Sequence, residues 1–220
     1  MTSTASRLWH GALAAITATA LVVQIVLVVD SGSSLVDFVS YFTIQSNTLV
    51  LVAAVLIALG RPWQGTAWRL VRLAGLTGIT VTGVVYTVAI GPYVSMEGAA
   101  KYCDWTFHYV VPLAAVVGHV AFADRDRFAW RDLAFIAWPV AWLAYTLVRA
   151  EVGSPSFAMP AGGTGRYPYD FLNVDTEGAA AVTVAIVVVL IVLVAVAALY
   201  VRFSGRPGNR EPAAHTSATA

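Results

Sequence analysis

The stretch AAAVTVAIVVVLIVLVAVAALYV, Ala179–Val201, decides the class of protein. It contains no charged residue, and it matches the roughly 20 residues that a helix needs to cross the hydrocarbon core of a bilayer. The whole chain has the same character, because 59% of its 220 residues are hydrophobic and only 11% are charged. An ordinary soluble domain carries roughly 25% charged residues. The sequence therefore predicts a small all-α, polytopic membrane protein.

Six segments have the length and composition of transmembrane helices, and we expect them to form one helical bundle. The first is expected to be kept as a span, because no small-residue cleavage site follows its apolar run. Residues 1–203 are then one transmembrane domain, and residues 204–220 are expected to form a disordered cytoplasmic tail. The six spans are Leu8–Val29, Val39–Leu59, Leu70–Ile90, Trp105–Phe122, Leu133–Val148 and Ala179–Val201.

Lysine and arginine are distributed unevenly between the two sides that six spans create. Cytoplasmic loops of membrane proteins carry the excess of these residues. Ten of the 13 fall on one side, so we expect both termini to be cytoplasmic in a multi-pass protein of the cell membrane. The ten are Arg7, Arg61, Arg69, Arg72, Arg125, Arg127, Arg131, Arg202, Arg206 and Arg210, and the other three are Lys101, Arg149 and Arg166.

The second span begins with an unusual polar cluster, YFTIQSNTLV, Tyr41–Val50. Polar side chains at membrane depth are costly, so a cluster of them indicates helix packing, a wet cavity or chemistry. Thr43 and Asn47 are four residues apart and share a helical face with Ser46. A threonine in such a helix usually bonds the carbonyl four residues earlier or packs against a neighbour. In the third span, small residues predict a packing face: Ala74, Gly75, Gly78 and Gly83.

The predicted topology brings the ionisable residues of the outer half into one layer. At about 1.5 Å rise per residue, Thr43 and His108 each lie roughly one turn below the start of their spans. Asp104 precedes His108 by four residues, so its carboxylate can hold the imidazole; alternatively, Asp104 stays at the surface and another group orients the ring. Pro112 removes the amide that would bond the His108 carbonyl, which predicts a kink. An intramembrane histidine indicates function by default, although helix packing is the alternative.

The long loop Glu151–Gly178 lies on the same outer side and is rich in Gly, Pro and aromatic residues. Its composition argues against a regular helix, and its length is typical of a lid or a binding loop. Arg149 opposes the charge trend, so we expect an acidic partner, Asp170 or Asp175. Further candidates for the outer layer are Tyr86 in the third span and Tyr167 and Tyr169 in the loop.

Three motifs together resemble a known family: YFTxxSN opening span 2, HxxxP in span 4 and YPYxFLxV after span 5. This pattern is similar to that of the bacterial Pr6Pr membrane proteins, over roughly residues 8–202. These look like distant relatives of the androgen-induced / FAR-17a family, whose eukaryotic members are multi-pass hydrolases of fatty acid esters. By motif, Thr43 matches the family's threonine nucleophile and His108 its histidine.

The resemblance implies a hydrolase of lipid esters in which His108 activates Thr43 as a general base. Asn47, Arg149, Tyr86 or a tyrosine of the loop is then a candidate donor to the oxyanion, and Asp104 a candidate to orient the imidazole. Non-catalytic binding or transport of a lipid or small solute is an alternative, and a structural role is another. The expected partner is a membrane lipid or lipid ester rather than nucleic acid, with no metal or cofactor.

Overall fold

The structure, a computed structural model, describes residues 2–61, 64–122, 127–159 and 162–204. These residues are mostly helical, and a small antiparallel sheet pairs β1 (Phe157–Ala158) with β2 (Thr164–Gly165). The all-α prediction is therefore confirmed for the described part of the chain. The α-helices are α1 (Thr4–Asp30), α2 (Leu35–Ser40), α3 (Phe42–Ala58), α4 (Gly65–Val85), α5 (Gly98–Trp105), α6 (Val111–Ala121), α7 (Ala137–Val152), α8 (Val174–Glu177) and α9 (Ala179–Phe203).

Among the described residues, four helical segments are long and apolar enough to cross a membrane: Thr4–Asp30, Gly65–Tyr93, Trp130–Val152 and Ala179–Phe203. They correspond to the predicted spans 1, 3, 5 and 6. Helix α3 is also apolar but has only 17 residues. The count of six spans and the orientation of the termini stay predictions.

Two predicted spans have different bounds in the structure. Span 2 was expected to start at Val39, but the extended backbone of Tyr41 (ψ 130°) separates the short helix α2 from α3. Span 4 was expected to start at Trp105, whereas its helix begins at Gly98 and continues through a π-helical segment, Thr106–Val110, into α6. A second π-helical segment, Tyr86–Ile90, continues α4.

Glycines in the left-handed conformation end two of the helices. Gly32 follows α1 and Gly60 follows α3, each with a φ of +69°. Their amides bond carbonyls of the last turn, at Val29 and Ile57, and the next residue's amide bonds one carbonyl further back. This arrangement satisfies carbonyls that a helix end would otherwise leave unpaired. The glycines therefore fix where the chain leaves each helix.

Helix α4 lies at the centre of the bundle. In the segment Gly65–Tyr93, 56% of the residues in an apolar stretch of 18 are buried inside the protein. The corresponding share is 17–28% in the other three long helical segments. Leu73, Leu76 and Ile79 are essentially inaccessible to solvent. The small residues act as the predicted packing face, since a Cβ on Gly78 would lie 3.1 Å from the Trp138 ring and one on Gly83 would lie 3.1 Å from Pro112 Cβ.

The predicted tail and loop differ in part from expectation. Ser204, assigned to a disordered tail, is buried, and its hydroxyl bonds the backbone of Phe128 at 3.1 and 3.2 Å. The remaining tail, residues 205–220, lies outside the described residues. The long loop contains the small sheet, the 3-10 turn Asp170–Leu172 and one turn of α-helix in α8. The loop therefore contains more regular secondary structure than its composition led us to predict.

Candidate active site

Thr43 occupies the first turn of α3, where its backbone amide has no intrahelical partner. The phenol oxygen of Tyr169 accepts from this amide at 3.3 Å. The hydroxyl of Thr43 also differs from its neighbours, because Ser46 and Thr48 donate to carbonyls four residues earlier, at 2.7 and 2.8 Å. The carbonyl four residues before Thr43 is that of Val39, which lies beyond the break at Tyr41. The position thus leaves the Thr43 hydroxyl for other contacts.

His108 lies in the π-helical segment Thr106–Val110, four residues before Pro112. A π-turn often marks a functional site, and here it coincides with the amide that proline removes. The sequence predicted a kink at this point. The structure accommodates the missing amide through a wider helical turn.

Thr43 and His108 face each other across the interface between α3 and the π-helical segment. The distance from Thr43 Oγ1 to His108 Nε2 is 3.4 Å, and Thr43 is buried. On the other side of the ring, Nδ1 lies 2.9 Å from the backbone oxygen of Asp104 and 3.1 Å from its Oδ1. Both of these atoms are acceptors, so Nδ1 carries the proton and Nε2 presents a lone pair to the hydroxyl.

Tyr86 completes the environment of the imidazole. Its ring stacks on His108 with centroids 3.7 Å apart and planes 10° apart, and its hydroxyl donates to Asp104 Oδ2 at 2.6 Å. Asp104 therefore accepts from both aromatic residues. This arrangement restrains the imidazole in position and in tautomer.

Tyr169 brings the long loop into the site. Its hydroxyl lies 3.3 Å from Thr43 Oγ1 in addition to accepting from the Thr43 amide. Its ring stacks on Phe171 and packs edge-on against Tyr41. Burial raises the pKa of the Tyr169 phenol above its ordinary value, although the hydrogen bonds from Thr43 oppose this. The phenol is therefore a neutral hydroxyl that can donate a hydrogen bond beside the Thr43 oxygen.

A cavity of about 120 Å³ opens beside Thr43 and His108. This is about ten times the space that one buried water needs. Its walls come from α4, α7 and α9 and are mostly apolar. Four polar side chains of the lining contact one another, namely Thr43, His108, Tyr86 and Tyr169, and Thr82 also lines the cavity. The site therefore combines a hydrogen-bonded head with an apolar body.

Three other polar residues of the YFTIQSNTLV cluster, Gln45, Ser46 and Asn47, link α3 to neighbouring segments. Asn47 is fully buried, and its Nδ2 donates to the carbonyls of Thr43 at 2.8 Å and Phe107 at 3.4 Å. Ser46 accepts from the Thr82 hydroxyl at 3.4 Å, which links α3 to α4. Gln45 points to another helix, where its Oε1 accepts from Trp138 Nε1 at 3.0 Å. Asn47 thus supports the backbone on both sides of the Thr43–His108 contact, and its amide does not reach the hydroxyl.

The predicted partner of Arg149 is wrong. Arg149 pairs with Asp37 of α2 and also donates to Ser40 Oγ at 3.1 Å. Asp175 instead pairs with Arg166 at 2.6 Å, and Asp170 is exposed at the start of its 3-10 turn. With its charge committed to Asp37, Arg149 is no longer a good candidate for an oxyanion donor. The hydroxyl of Tyr167 likewise has another partner, since it donates to Glu151 at 3.0 Å.

Sequence reasoning missed Asp37, whose carboxylate connects α2 to the long loop and to Arg149. Its Oδ2 accepts from the Ser156 amide at 3.1 Å, and the next residue, Phe157, packs edge-on against Tyr41. A signal was present, because Ser34 followed three residues later by Asp37 is a helix-capping pattern. The Ser34 hydroxyl does accept from the Asp37 amide at 3.3 Å.

No group of three or more His, Cys, Asp or Glu side chains among the described residues could hold a metal ion. Comparisons with protein-family models, with curated proteins and with solved structures find no match for this chain. The resemblance to the Pr6Pr proteins therefore stays a prediction that rests on the three motifs.

Proposed function

We propose that this chain is a multi-pass hydrolase of lipid esters in the cell membrane, with six spans and both termini cytoplasmic. In this proposal Thr43 is the nucleophile, His108 the general base, and Asp104 the residue that orients the imidazole. The observation that carries the proposal is the chain of contacts from Thr43 Oγ1 to His108 Nε2 and from His108 Nδ1 to Asp104. Nucleophile, base and orienting carboxylate in this sequence form the general pattern of hydroxyl-based acyl transfer.

The first half-reaction forms an acyl enzyme. Thr43 Oγ1 attacks the ester carbonyl carbon while its proton passes to His108 Nε2, and the carbonyl electron pair moves onto the oxygen. Tyr169 is well placed to donate to this oxyanion, because its hydroxyl lies 3.3 Å from the attacking oxygen. When the intermediate collapses, the bond to the alcohol oxygen breaks, and that oxygen takes the proton from Nε2.

The second half-reaction returns the enzyme to its starting state. A water molecule gives a proton to His108 Nε2 and attacks the acyl carbon of the Thr43 ester. Collapse breaks the bond to Thr43 Oγ1, which recovers its proton from the imidazole. The products are one carboxylic acid and one alcohol, so the mechanism consumes only water.

Two features favour hydrolysis over a purely structural role for Thr43. Its hydroxyl lacks the bond to the preceding turn that Ser46 and Thr48 make, and Thr43 lines the cavity. Thr82 also lines the cavity, but its hydroxyl donates to Ser46, whereas the Thr43 hydroxyl faces His108 Nε2. The resemblance to a family of threonine hydrolases points to the same residue.

A fluorophosphonate probe tests the proposal on the purified protein in detergent. We expect wild type and Thr43→Ser to be labelled, and Thr43→Ala and His108→Ala to lose labelling. Thr48→Ala is the matched control, because its hydroxyl is in the same helix, bonds the Ile44 carbonyl and is away from the cavity. A folded wild-type protein that takes no probe and cleaves no lipid ester would refute the proposal.

Binding of a lipid without turnover is the second candidate, and the apolar cavity itself favours it. In that case Thr43→Ala would retain the bound lipid, and wild type would release no fatty acid from it. Mass spectrometry of lipids that copurify with the two proteins distinguishes the candidates.

A further inference from the structure

The cavity beside Thr43 extends along α9, from which Ile186, Val189, Leu190 and Leu193 line it. The separation of Ile186 and Leu193 along the helix is roughly 10 Å at about 1.5 Å per residue. Ile186 packs against the same buried cluster (Ala150, Tyr167 and Leu172) as Tyr169 and Phe171 do, on the side of the polar head. Leu193 marks the other end, where it is almost fully buried.

The far end of the pocket is closed. Leu193 from α9 and Val81 from α4 are 4% and 2% exposed, and Pro139 of α7 is buried as well. All three are apolar and line the cavity. A ligand whose polar end lies at Thr43 therefore meets a wall of aliphatic side chains at the far end, roughly 10 Å along α9 from Ile186.

One side of the pocket is open. Val140 of α7 and Leu190 of α9 line the cavity, yet they are 51% and 41% exposed. Both belong to segments that are long and apolar enough to cross a membrane. In a bilayer, the surface on which these two residues are exposed faces lipid. An apolar ligand can therefore reach the pocket sideways, from the membrane.

We propose that this pocket holds the acyl chain of the ester and selects chains of about eight carbons, since a chain spans roughly 1.2 Å per bond and the pocket roughly 10 Å. The substrate enters from the bilayer between Val140 and Leu190, with its carbonyl carbon at Thr43 and its methyl end at Leu193. This inference rests on the proposed function, because it assigns the acyl side of that reaction. A longer chain must bend out through the side opening and loses the contacts at Leu193.

A series of nitrophenyl esters with butanoyl, octanoyl and hexadecanoyl chains tests the assignment in detergent. We expect wild type to show its highest kcat/KM with octanoate. Leu193→Phe shortens the pocket, so the octanoate-to-butanoate ratio of kcat/KM falls by about tenfold or more. Leu193→Ala lengthens it and moves the optimum to longer chains. Val194→Phe is the control, because Val194 is exposed on the same helix and does not line the cavity, and its profile matches wild type.

Two readouts separate failure of this inference from failure of the hydrolase proposal. If wild type is labelled by fluorophosphonate and cleaves esters, but neither Leu193 variant changes the chain-length profile, the acyl-chain assignment is overturned and the hydrolase stands. If wild type is not labelled by fluorophosphonate and cleaves no ester, photo-cross-linking tests whether the pocket binds an acyl chain. The probe is an octanoate ester with a photoreactive group at its methyl end. Cross-links near Leu193, Val81 or Pro139 would support the acyl-chain pocket as a binding site, and cross-links elsewhere would overturn it.

Discussion

The ring of Tyr86 lies flat on the imidazole of His108, with centroids 3.7 Å apart, while its hydroxyl donates to the carboxylate that holds the same imidazole. One side chain therefore restrains both the proposed base and the residue that orients it. Tyr86 belongs to a different helical segment from His108 and Asp104, so the packing of α4 and its continuation against α5 and α6 sets the position of the base. Substitutions of Tyr86 should therefore change kcat more than they change substrate binding.

Removing one or both contacts of Tyr86 should lower the kcat of ester hydrolysis to different extents. Tyr86→Phe keeps the stack and loses the donor to Asp104, so we expect kcat to fall about tenfold, whereas Tyr86→Leu also loses the stack and should cost about a hundredfold. Steady-state kinetics on octanoate ester measures both. Tyr93→Phe serves as the control, since Tyr93 is 74% exposed and does not line the cavity. Full activity of Tyr86→Leu would show that the imidazole needs no such restraint.

Tyr169→Phe should lower kcat by about a hundredfold with little change in KM, because one donor to the oxyanion is lost. Tyr167→Phe should leave kcat unchanged, since that hydroxyl bonds Glu151 instead. Burial raises the pKa of Tyr169, so its proton is held as pH rises past the ordinary value near 10 and is lost only above the raised value. Wild type and Tyr169→Phe should therefore have alkaline pH–rate profiles of the same shape up to about pH 10. A wild-type profile that alone declines below that pH would contradict this.

Gly83→Ala should weaken the site through the backbone of His108. The new Cβ would lie 3.1 Å from Pro112 Cβ and 3.2 Å from the His108 carbonyl oxygen, so α4 or the π-helical segment must shift. We expect a loss of about 1–3 kcal/mol in stability and reduced fluorophosphonate labelling. Gly11→Ala is the matched control, because its Cβ would meet only Ala58 Cβ at 3.8 Å. Unfolding followed by circular dichroism in detergent compares the stability of the two variants. Equal stability would show that the helices can shift apart at Gly83 at little cost.

Breaking the Asp37–Arg149 pair should destabilise the protein. Arg149→Met leaves the Asp37 carboxylate, which is 6% exposed, without its cation, and we expect a loss of about 2–3 kcal/mol in the free energy of unfolding. The double variant with Asp37→Asn should recover part of the loss, because no buried charge is left unpaired. Arg166→Met is the control and should change stability little, since Arg166 and Asp175 are both largely exposed. A Thr43 site that labels normally in Arg149→Met would show that the pair serves stability alone.

The sequence predicted that Thr43 and His108 lie in one layer, and their side chains do meet. The count behind this prediction used span starts at Val39 and Trp105, whereas the helices begin at Phe42 and Gly98. The catalytic roles given to them stay predictions. The packing role of Gly78 and Gly83 could also be predicted, since small residues in an apolar helix allow close approach.

The contacts made by the loop and by α2 depend on tertiary packing, which a single sequence does not encode locally. The predicted span 2 starts at Val39, so Ser40 fell inside it and Asp37 just before it, and neither the break at Tyr41 nor the pairing of Asp37 with Arg149 was visible. Choosing Tyr169 rather than Tyr167 required knowing which way the loop turns. The two tyrosines are two residues apart and bond groups on different helices, Thr43 of α3 and Glu151 of α7.

The π-helical segment that carries His108 has a consequence for how such a site can arise. A π-turn is an α-helix with one additional residue, so deleting a single residue from Thr106–Val110 would restore a regular helix. The wider turn contains the additional residue, so the helix on either side would keep its orientation. Loss of Thr106 or Phe107 would make His108 the third residue after Asp104 instead of the fourth, and the imidazole would lose its present position between Asp104 and Thr43. Insertion or loss of one codon is thus enough to assemble or dismantle this constellation within an otherwise unchanged bundle.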